Sequence, residues 1–297
     1  VSMGSKTTSS TTGPATPATG DETTTTAIRI AGASKVYGSG QNALVALDGV
    51  DLTIAPGRFV SVIGPSGCGK STLLRMIANL ERPDAGEVEI FGASPDAACE
   101  AKLIGFVPQS PALLPWLNVL QNVTLPHRVN RAAERKRSRA ASASPRSVPD
   151  LEQLLDDVGL KDAMHKLPAE LSGGMQQRTA IVRALGLQPE VLLMDEPFSA
   201  LDEFTREALQ EQLLDLWDEI ATTVVFVTHS VTEAVRLSDT VVVMAPRPGR
   251  IVDVVDIDLP RPRSAELLKT PEFHHFEDLI RDRLQAAWRS PELPNAA

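Results

Sequence analysis

The stretch Gly64-Pro65-Ser66-Gly67-Cys68-Gly69-Lys70-Ser71-Thr72 fits the spacing G-x-x-x-x-G-K-[ST], a pattern suited to holding phosphate. Glycines let successive backbone N–H groups turn inward around an anion. A helix opening at Lys70 aims the positive end of its dipole at the same point. The Lys70 ammonium then offers a point charge to β- and γ-phosphates, and the Ser71 hydroxyl a ligand to Mg²⁺. The competing reading is a Gly-rich turn with an incidental lysine, and a strand before it with a helix after it argues against that.

A pair of acids forms the second candidate. Val191-Leu192-Leu193-Met194 is a short apolar run, and Asp195-Glu196-Pro197 follows it directly. Ligands of open α/β sheets bind at the carboxyl ends of strands, where these two carboxylates fall. Asp195 suits Mg²⁺, held through water, and Glu196 suits the base that orients and deprotonates an attacking water. Two acids closing a strand also occur by chance, so the pair gains its meaning from the phosphate loop.

These residues need a frame. Alternating or β-branched apolar runs predict strands at Ala27–Tyr37, Val50–Ile54, Phe59–Ile63, Glu87–Phe91 and Ile104–Val107. Asp48-Gly49 and Pro56-Gly57 read as turns between the first three. Val191–Met194 and Val224–Val227 have the composition of buried parallel strands. Helical spacing is expected at Leu73–Leu80, Leu151–Val158, Gly174–Leu187 and Glu203–Ile220. Val241–Met244 and Ile251–Val255 flank a Pro-Arg-Pro-Gly turn and predict a hairpin at the sheet edge. Pro271–Trp288 reads as one amphipathic helix, with Phe273, Phe276, Leu279, Ile280 and Leu284 along a stripe. The order of strand Phe59–Ile63, Gly-rich loop and helix Leu73–Leu80 is α/β logic.

The 297 residues are 42% hydrophobic and 23% charged, enough for an ordinary core. A net charge of −9 argues against wrapping nucleic acid, so no nucleic-acid partner is expected. Two cysteines, Cys68 and Cys99, make no disulfide framework and suit a reducing compartment. No apolar run approaches the roughly 20 residues that cross a bilayer, so a membrane is reached through a partner or a surface. Residues 1–26 are Ser/Thr/Gly/Pro-rich and read as a disordered tail without a secretory apolar centre. Residues 128–146, rich in Arg, Ala and Ser, read as a solvated mobile insertion or as a contact for anionic lipid head groups.

One further motif sets the family. Leu171-Ser172-Gly173-Gly174-Met175-Gln176-Gln177-Arg178, followed by a helix and then the acidic strand, closely resembles the signature of the ABC ATPases. Ser172, Gly173 and Gly174 open a helix and so make a second anion site. The resemblance runs from about Ile28 to Asp258. It implies an α/β fold: a P-loop (RecA-like) ABC ATPase core with an antiparallel β subdomain and an α-helical subdomain inserted at about 109–183. The ATPase domain then spans 27–258, with a helical extension at 259–297. ATP and Mg²⁺ are the implied cofactors, and the signature residues, Gln176 included, close on the γ-phosphate held by a second ATPase subunit.

The same resemblance gives roles to single residues. Tyr37, the sole tyrosine, stands where the family stacks an aromatic ring on adenine; the alternative is an edge-strand aromatic. Gln109 stands where a glutamine senses Mg²⁺ and water. Ser199-Ala200-Leu201-Asp202 resembles the loop that crosses the dimer interface beside ATP. His229 resembles the histidine that contacts γ-phosphate and holds the water geometry. Pro108 to Val123 is similar to the corresponding stretch of bacterial nitrate/sulfonate/taurine-type importers, as are Pro246–Ile251 and Asp258–Arg263. Leu113, Leu114 and Trp116 are then contacts for a membrane subunit, or ordinary packing.

The implied assembly is a pair of ATPase subunits on transmembrane permease subunits, with a solute-binding protein reached indirectly. Its place is the cytoplasmic face of the cell membrane, and its task the import of a small anion. An exporter or lipid-handling ATPase with the same core remains an alternative. DNA-repair relatives carry a long coiled coil, and no sustained heptads occur here. Translation-associated relatives join two cassettes, and each motif occurs once here. The short stretch after the core also leaves no room for the regulatory domain of sugar-importer ATPases.

Overall fold

The computed structural model describes residues 26–129, 149–220, 222–246 and 248–289. The tail at 1–26 (Thr26 apart), the insertion at 128–146 (Arg128 and Val129 apart) and Arg247 of the hairpin turn lie outside the described residues.

Two sheets form the frame. Strands β1 (Ile28–Tyr37), β2 (Leu44–Ile54) and β4 (Ala85–Ile90) make an antiparallel sheet in the order β2-β1-β4. Strands β3 (Phe59–Ile63), β5 (Ile104–Val107), β6 (Val191–Asp195), β7 (Thr223–Thr228), β8 (Thr240–Ala245) and β9 (Arg250–Asp256) make the second. Its order is β5-β6-β7-β3-β8-β9, parallel except for β9, which pairs antiparallel with β8 at the edge as the hairpin pattern predicts. β3, β6 and β7 are buried along their whole length, which is why their sequences are apolar runs and not alternations.

Helices cover both faces. One face of the large sheet (Val60, Val62, Leu193, Val225) shares a core with the antiparallel sheet, α1 (Lys70–Ile77) and α2 (Pro95–Glu100). The other face (Phe59, Leu192, Met194, Phe226) packs on α3 (Val119–Val129), α4 (Leu151–Asp157), α5 (Gly173–Leu185) and α6 (Glu203–Ile220). Edge-to-face and tilted rings join Phe59 to Trp217 and Phe226 at 5.7 and 6.0 Å between centroids. A third core holds α7 (Val231–Leu237) and α8 (Pro271–Arg289) against β8. On α8 the predicted stripe buries Phe273 and Ile280 and packs Phe276 and Leu284, while Leu279 is only partly covered. No described helix is long and apolar enough to cross a membrane.

Two expectations change and one alternative falls away. Asp48-Gly49 is not a turn: β2 runs through it, and the register slips by one residue between Ala33↔Val50 and Lys35↔Leu47. The extra residue is a β-bulge, pinned by the Gly49 N–H on Ser34 Oγ at 2.9 Å. Helix α1 ends at Ile77 and not Leu80, because Asn79 takes a left-handed φ of 56°. Tyr37 is not on an edge strand, since β1 is the middle strand of its sheet.

Candidate active site

Four neighbouring parallel strands, β5, β6, β7 and β3, end on the same side of the sheet. The residues just past those ends are Gln109, Glu196, His229 and Gly64. Parallel pairing alone therefore brings together what the sequence spreads over more than 160 positions.

The loop Gly64–Gly69 leaves β3 and enters α1 at Lys70, with Gly69 as the N-cap at φ 92°. A Cβ on Gly69 would lie 2.5 Å from Leu47 Cδ2 and 2.8 Å from the Ala46 carbonyl, so only glycine fits. Cys68 is buried beneath the loop, and burial pushes its thiol up. Ser66 and Gly67 face solvent at the crest. Lys70 is 6% exposed, and its ammonium donates to the carbonyls of Gly64 (2.8 Å) and Pro65 (3.2 Å). Among the described residues its hydrogen bonds go to neutral carbonyls, which leaves the charge suited to an anion.

Ser71, on the first turn of α1, donates to Asp195 Oδ1 at 2.8 Å across from β6. Asp195 is 8% exposed. Burial pushes its carboxyl up, against the pull of the Ser71 hydroxyl, Arg75 and Lys70. A carboxylate and a hydroxyl in contact are hard oxygen donors, and a desolvated carboxylate gains most from a cation. This pair fits Mg²⁺, which takes few protein ligands and shares the rest with phosphate and water.

Glu196 has a left-handed backbone, φ 45°, which for a residue with a side chain costs on the order of 1 kcal/mol. Three bonds hold it there. Its N–H donates to the Val227 carbonyl at 3.0 Å, and its own carbonyl accepts from the Ser199 N–H (3.2 Å) and hydroxyl (3.0 Å). The carboxylate is thereby turned off the strand axis toward two partners. Gln109 Nε2 donates to Glu196 Oε2 at 3.3 Å and to Ser199 Oγ at 3.3 Å. His229 Nδ1 stands 3.6 Å from the same Oε2, beyond hydrogen-bond reach. His229 is itself mostly exposed.

Tyr37 lies at the end of β1, 36% exposed. Its hydroxyl donates to the Glu81 carboxylate and stands 3.4 Å from Thr72 Oγ1, and Arg75 Nη1 reaches Glu81 at 3.3 Å. The ring is thus tied to the helix that follows the phosphate loop.

The signature residues stand apart from this cluster. Ser172 caps α5, its hydroxyl accepting from the Met175 N–H at 3.3 Å, while Ser172 and Gly173 are exposed. Gly174 is buried, and a Cβ there would meet Thr205 Cγ2 at 2.8 Å. Gln176 turns back to donate to the carbonyls of Pro168 (3.0 Å) and Leu171 (3.4 Å), fixing the turn before Ser172. Asp202 accepts from the Thr205 N–H at 3.0 Å at the start of α6, a bond that lowers its pKa. Trp116 is 70% exposed, whereas Leu113 packs on the helical core and the Leu114 N–H donates to Asn122.

Sequence reasoning missed one supporting residue. Gly249, in the β8–β9 turn, bonds to β2 through its N–H on Ala46 O (3.1 Å) and its carbonyl on Asp48 N–H (3.0 Å). A Cβ on it would lie 2.2 Å from the Cys68 carbonyl. The phosphate loop therefore rests on a junction between the two sheets. The Pro-Gly pair advertised only a turn.

Comparison with known proteins places these features in a family. A family model described as ABC transporter matches residues 47–199. The chain is 46% identical over 248 residues to the aliphatic sulfonates import ATP-binding protein of Xanthomonas axonopodis pv. citri, covering 84% of this chain and 92% of that one. It is 39% identical over 272 residues to the bicarbonate transport ATP-binding protein of Synechocystis sp., covering 91% and 92%. Among solved structures, a dimeric ATP-binding cassette in a post-hydrolysis state with ADP and Pi superposes with a TM-score of 0.65. It is 33% identical, and the match covers 78% of this chain and all of that one.

Proposed function

This chain belongs to the ABC transporter family of ATP-hydrolysing cassettes, and on that premise we propose that two copies close head-to-tail around two Mg·ATP to drive solute import across the cytoplasmic membrane. The observation that carries the reading is the convergence of Lys70, the Ser71–Asp195 pair and Glu196 at neighbouring parallel strand ends.

In this reading the backbone of Gly64–Gly69 and the Lys70 ammonium hold the β- and γ-phosphates, with Thr72 beside them and Tyr37 against the adenine. Lys70 gives up the Gly64 and Pro65 carbonyls for phosphate oxygens. Ser71 and Asp195, with Gln109 as a third candidate, would hold Mg²⁺, which would supply positive charge against the phosphate oxygens. Glu196 takes a proton from the attacking water as its oxygen bonds to the γ-phosphorus and the bond to ADP breaks. Gln109 and His229, both beside Glu196 Oε2, hold that water and the γ-phosphate in line. Ser172, Gly173 and Gly174 of the second copy complete the site across the interface, beside Asp202. Closure moves the permease, and loss of the bridging phosphate lets the pair reopen.

The relatives support an importer of small anions, since one is named for aliphatic sulfonates and another for bicarbonate. An exposed Trp116 on the loop after Gln109 suits contact with a permease.

The test uses Glu196→Gln. Its turnover is expected to fall at least about 100-fold with ATP binding kept, the usual worth of a general base. An unchanged rate removes Glu196 from the base role. The same variant, held with Mg·ATP, is then used as bait in detergent-solubilised native membranes. Recovery of a multi-span permease with a solute-binding protein supports import. A permease alone favours export or lipid handling, and no membrane protein at all overturns the transport reading.

A further inference from the structure

Glu233 has no part in the chemistry above, yet it is an acid only 7% exposed, on the first turn of α7 four residues past His229. Its Oε2 accepts from the Thr228 hydroxyl. Thr228 Oγ1 in turn accepts from the Ser230 N–H at 3.0 Å, and Ser230 Oγ accepts from the Glu233 N–H at 3.3 Å. Thr228, before His229, is therefore bonded to the buried carboxylate itself, and Ser230, after it, to the Thr228 hydroxyl and the Glu233 backbone.

The other oxygen looks toward α6. Oε1 accepts from Gln210 Nε2 at 3.2 Å and faces Arg206 Nε at 3.7 Å. Arg206 Nη2 donates to the Leu201 carbonyl at 2.8 Å, and the Arg206 N–H to the Asp202 carbonyl at 2.9 Å. Gln210 is held from behind by Arg236 Nη1 at 3.2 Å. A continuous chain of polar contacts thus runs from the His229 loop, through Glu233 and Arg206, to the Ser199–Asp202 segment.

Such a chain is costly to keep. Burial pushes the Glu233 carboxyl up, against the pull of Thr228, Arg206, His229 and Gln210. Apolar residues of similar volume would stabilise this junction as well or better, so a buried ionic group is weak evidence for stability and calls for another role. The geometry at His229 supplies one. At 3.6 Å from Glu196 Oε2, the ring stands a few tenths of an ångström outside hydrogen-bond reach. A small movement of its loop decides whether that bond forms.

We propose that Glu233 is a positioning residue that locks His229 to the Ser199–Asp202 segment, so that contact of this segment with a second copy sets the histidine's place beside Glu196. The inference rests on the function proposed above, in which that segment meets the partner copy and His229 acts in turnover. It makes hydrolysis in each site sensitive to dimer contact by a route inside one chain.

The experiment compares steady-state ATPase rates and ATP affinity of the wild type, His229→Ala, Glu233→Gln, Glu233→Ala and the double variant His229→Ala/Glu233→Gln. Glu233→Gln keeps the side chain's volume but replaces one acceptor oxygen with a donor facing Thr228, or Gln210 and Arg206. Its kcat is expected to fall about tenfold with ATP affinity within about twofold, and the double variant should be no slower than His229→Ala. Glu233→Ala is judged on the same split if it folds; the isosteric glutamine decides if it does not. A Glu233→Gln rate equal to wild type, or losses that multiply in the double variant, overturns the positioning role. A wild-type rate in His229→Ala removes the histidine from the mechanism, and the positioning role with it. A slow His229→Ala beside a fast Glu233→Gln leaves the histidine in place and rejects only the link.

Discussion

At Asp195 the carboxyl is nearly buried, and burial holds its pKa above the ordinary 3.8. Between 3.8 and the raised value the folded chain binds more protons than the unfolded one, so stability falls as pH rises through that window and stays lower above it. At neutral pH the charge therefore opposes folding of the nucleotide-free protein. Asp195→Asn, which can still accept from Ser71, is expected to raise the melting temperature without nucleotide, by about 2–4 °C for each kcal/mol recovered. It should also erase the further stabilisation that Mg²⁺ adds to ATP. A lower melting temperature would mean that the charge is already compensated. Tyr37 offers a second residue-scale test. Its hydroxyl holds Glu81 in a half-exposed setting, where such a bond is worth under about 1 kcal/mol. Tyr37→Phe is expected to raise KM for ATP about threefold with kcat unchanged. Because Tyr37 is the only tyrosine, its ultraviolet titration is read without overlap from other phenols. Burial and the Glu81 carboxylate raise its pKa, and Glu81→Gln should bring it down.

Among the elements, legibility followed the range of the interactions. The phosphate loop, the Asp195-Glu196 pair and the fully buried strands were readable because each is written in a few consecutive residues. β3 and β5 begin and end where the apolar runs do. Asp48-Gly49 predicts a turn where the chain forms a bulge, because the cause of the bulge is pairing with β1 and not the dipeptide itself. The left-handed backbone of Glu196 was invisible for the same reason: bonds to Val227 and Ser199 impose it. Gly249 is the sharpest case. Its sequence context gives a hairpin turn, while the structure makes it the point where β2, the β8–β9 turn and the phosphate loop at Cys68 meet. Both atoms that a Cβ would strike there, the Cys68 and Ala46 carbonyls, are backbone and cannot swing aside. Gly249→Ala is therefore expected to displace the phosphate loop from outside the site. ATP affinity should drop about tenfold or more, and stability by about 1–3 kcal/mol, in line with overpacking. Unaltered ATP binding in a folded variant would show that the loop does not depend on this junction.

For the whole molecule, the decisive feature is what one chain leaves unfinished. Ser172 and Gly173 present an open helix N-terminus to solvent on the helical side, while Lys70 and Ser71 sit at the strand ends. In the function proposed above, a single copy offers two half-sites of opposite kind, and a head-to-tail pair with two-fold symmetry would satisfy both at once. That arrangement makes a prediction about mixtures. In a Glu196→Gln background, Lys70→Ala spoils the phosphate loop and Ser172→Arg fills the signature of the other half-site. Each variant alone is expected to trap no ATP. Mixed, they form heterodimers in which one composite site has a damaged loop and a damaged signature, and the other has both intact. One ATP per heterodimer should then be retained through gel filtration with Mg²⁺ present. Recovery on mixing requires that the loop of one copy work with the signature of the other. If the mixture traps no more than its components, while the Glu196→Gln parent traps ATP, the two half-sites do not complement across copies and the closed pair as drawn is wrong.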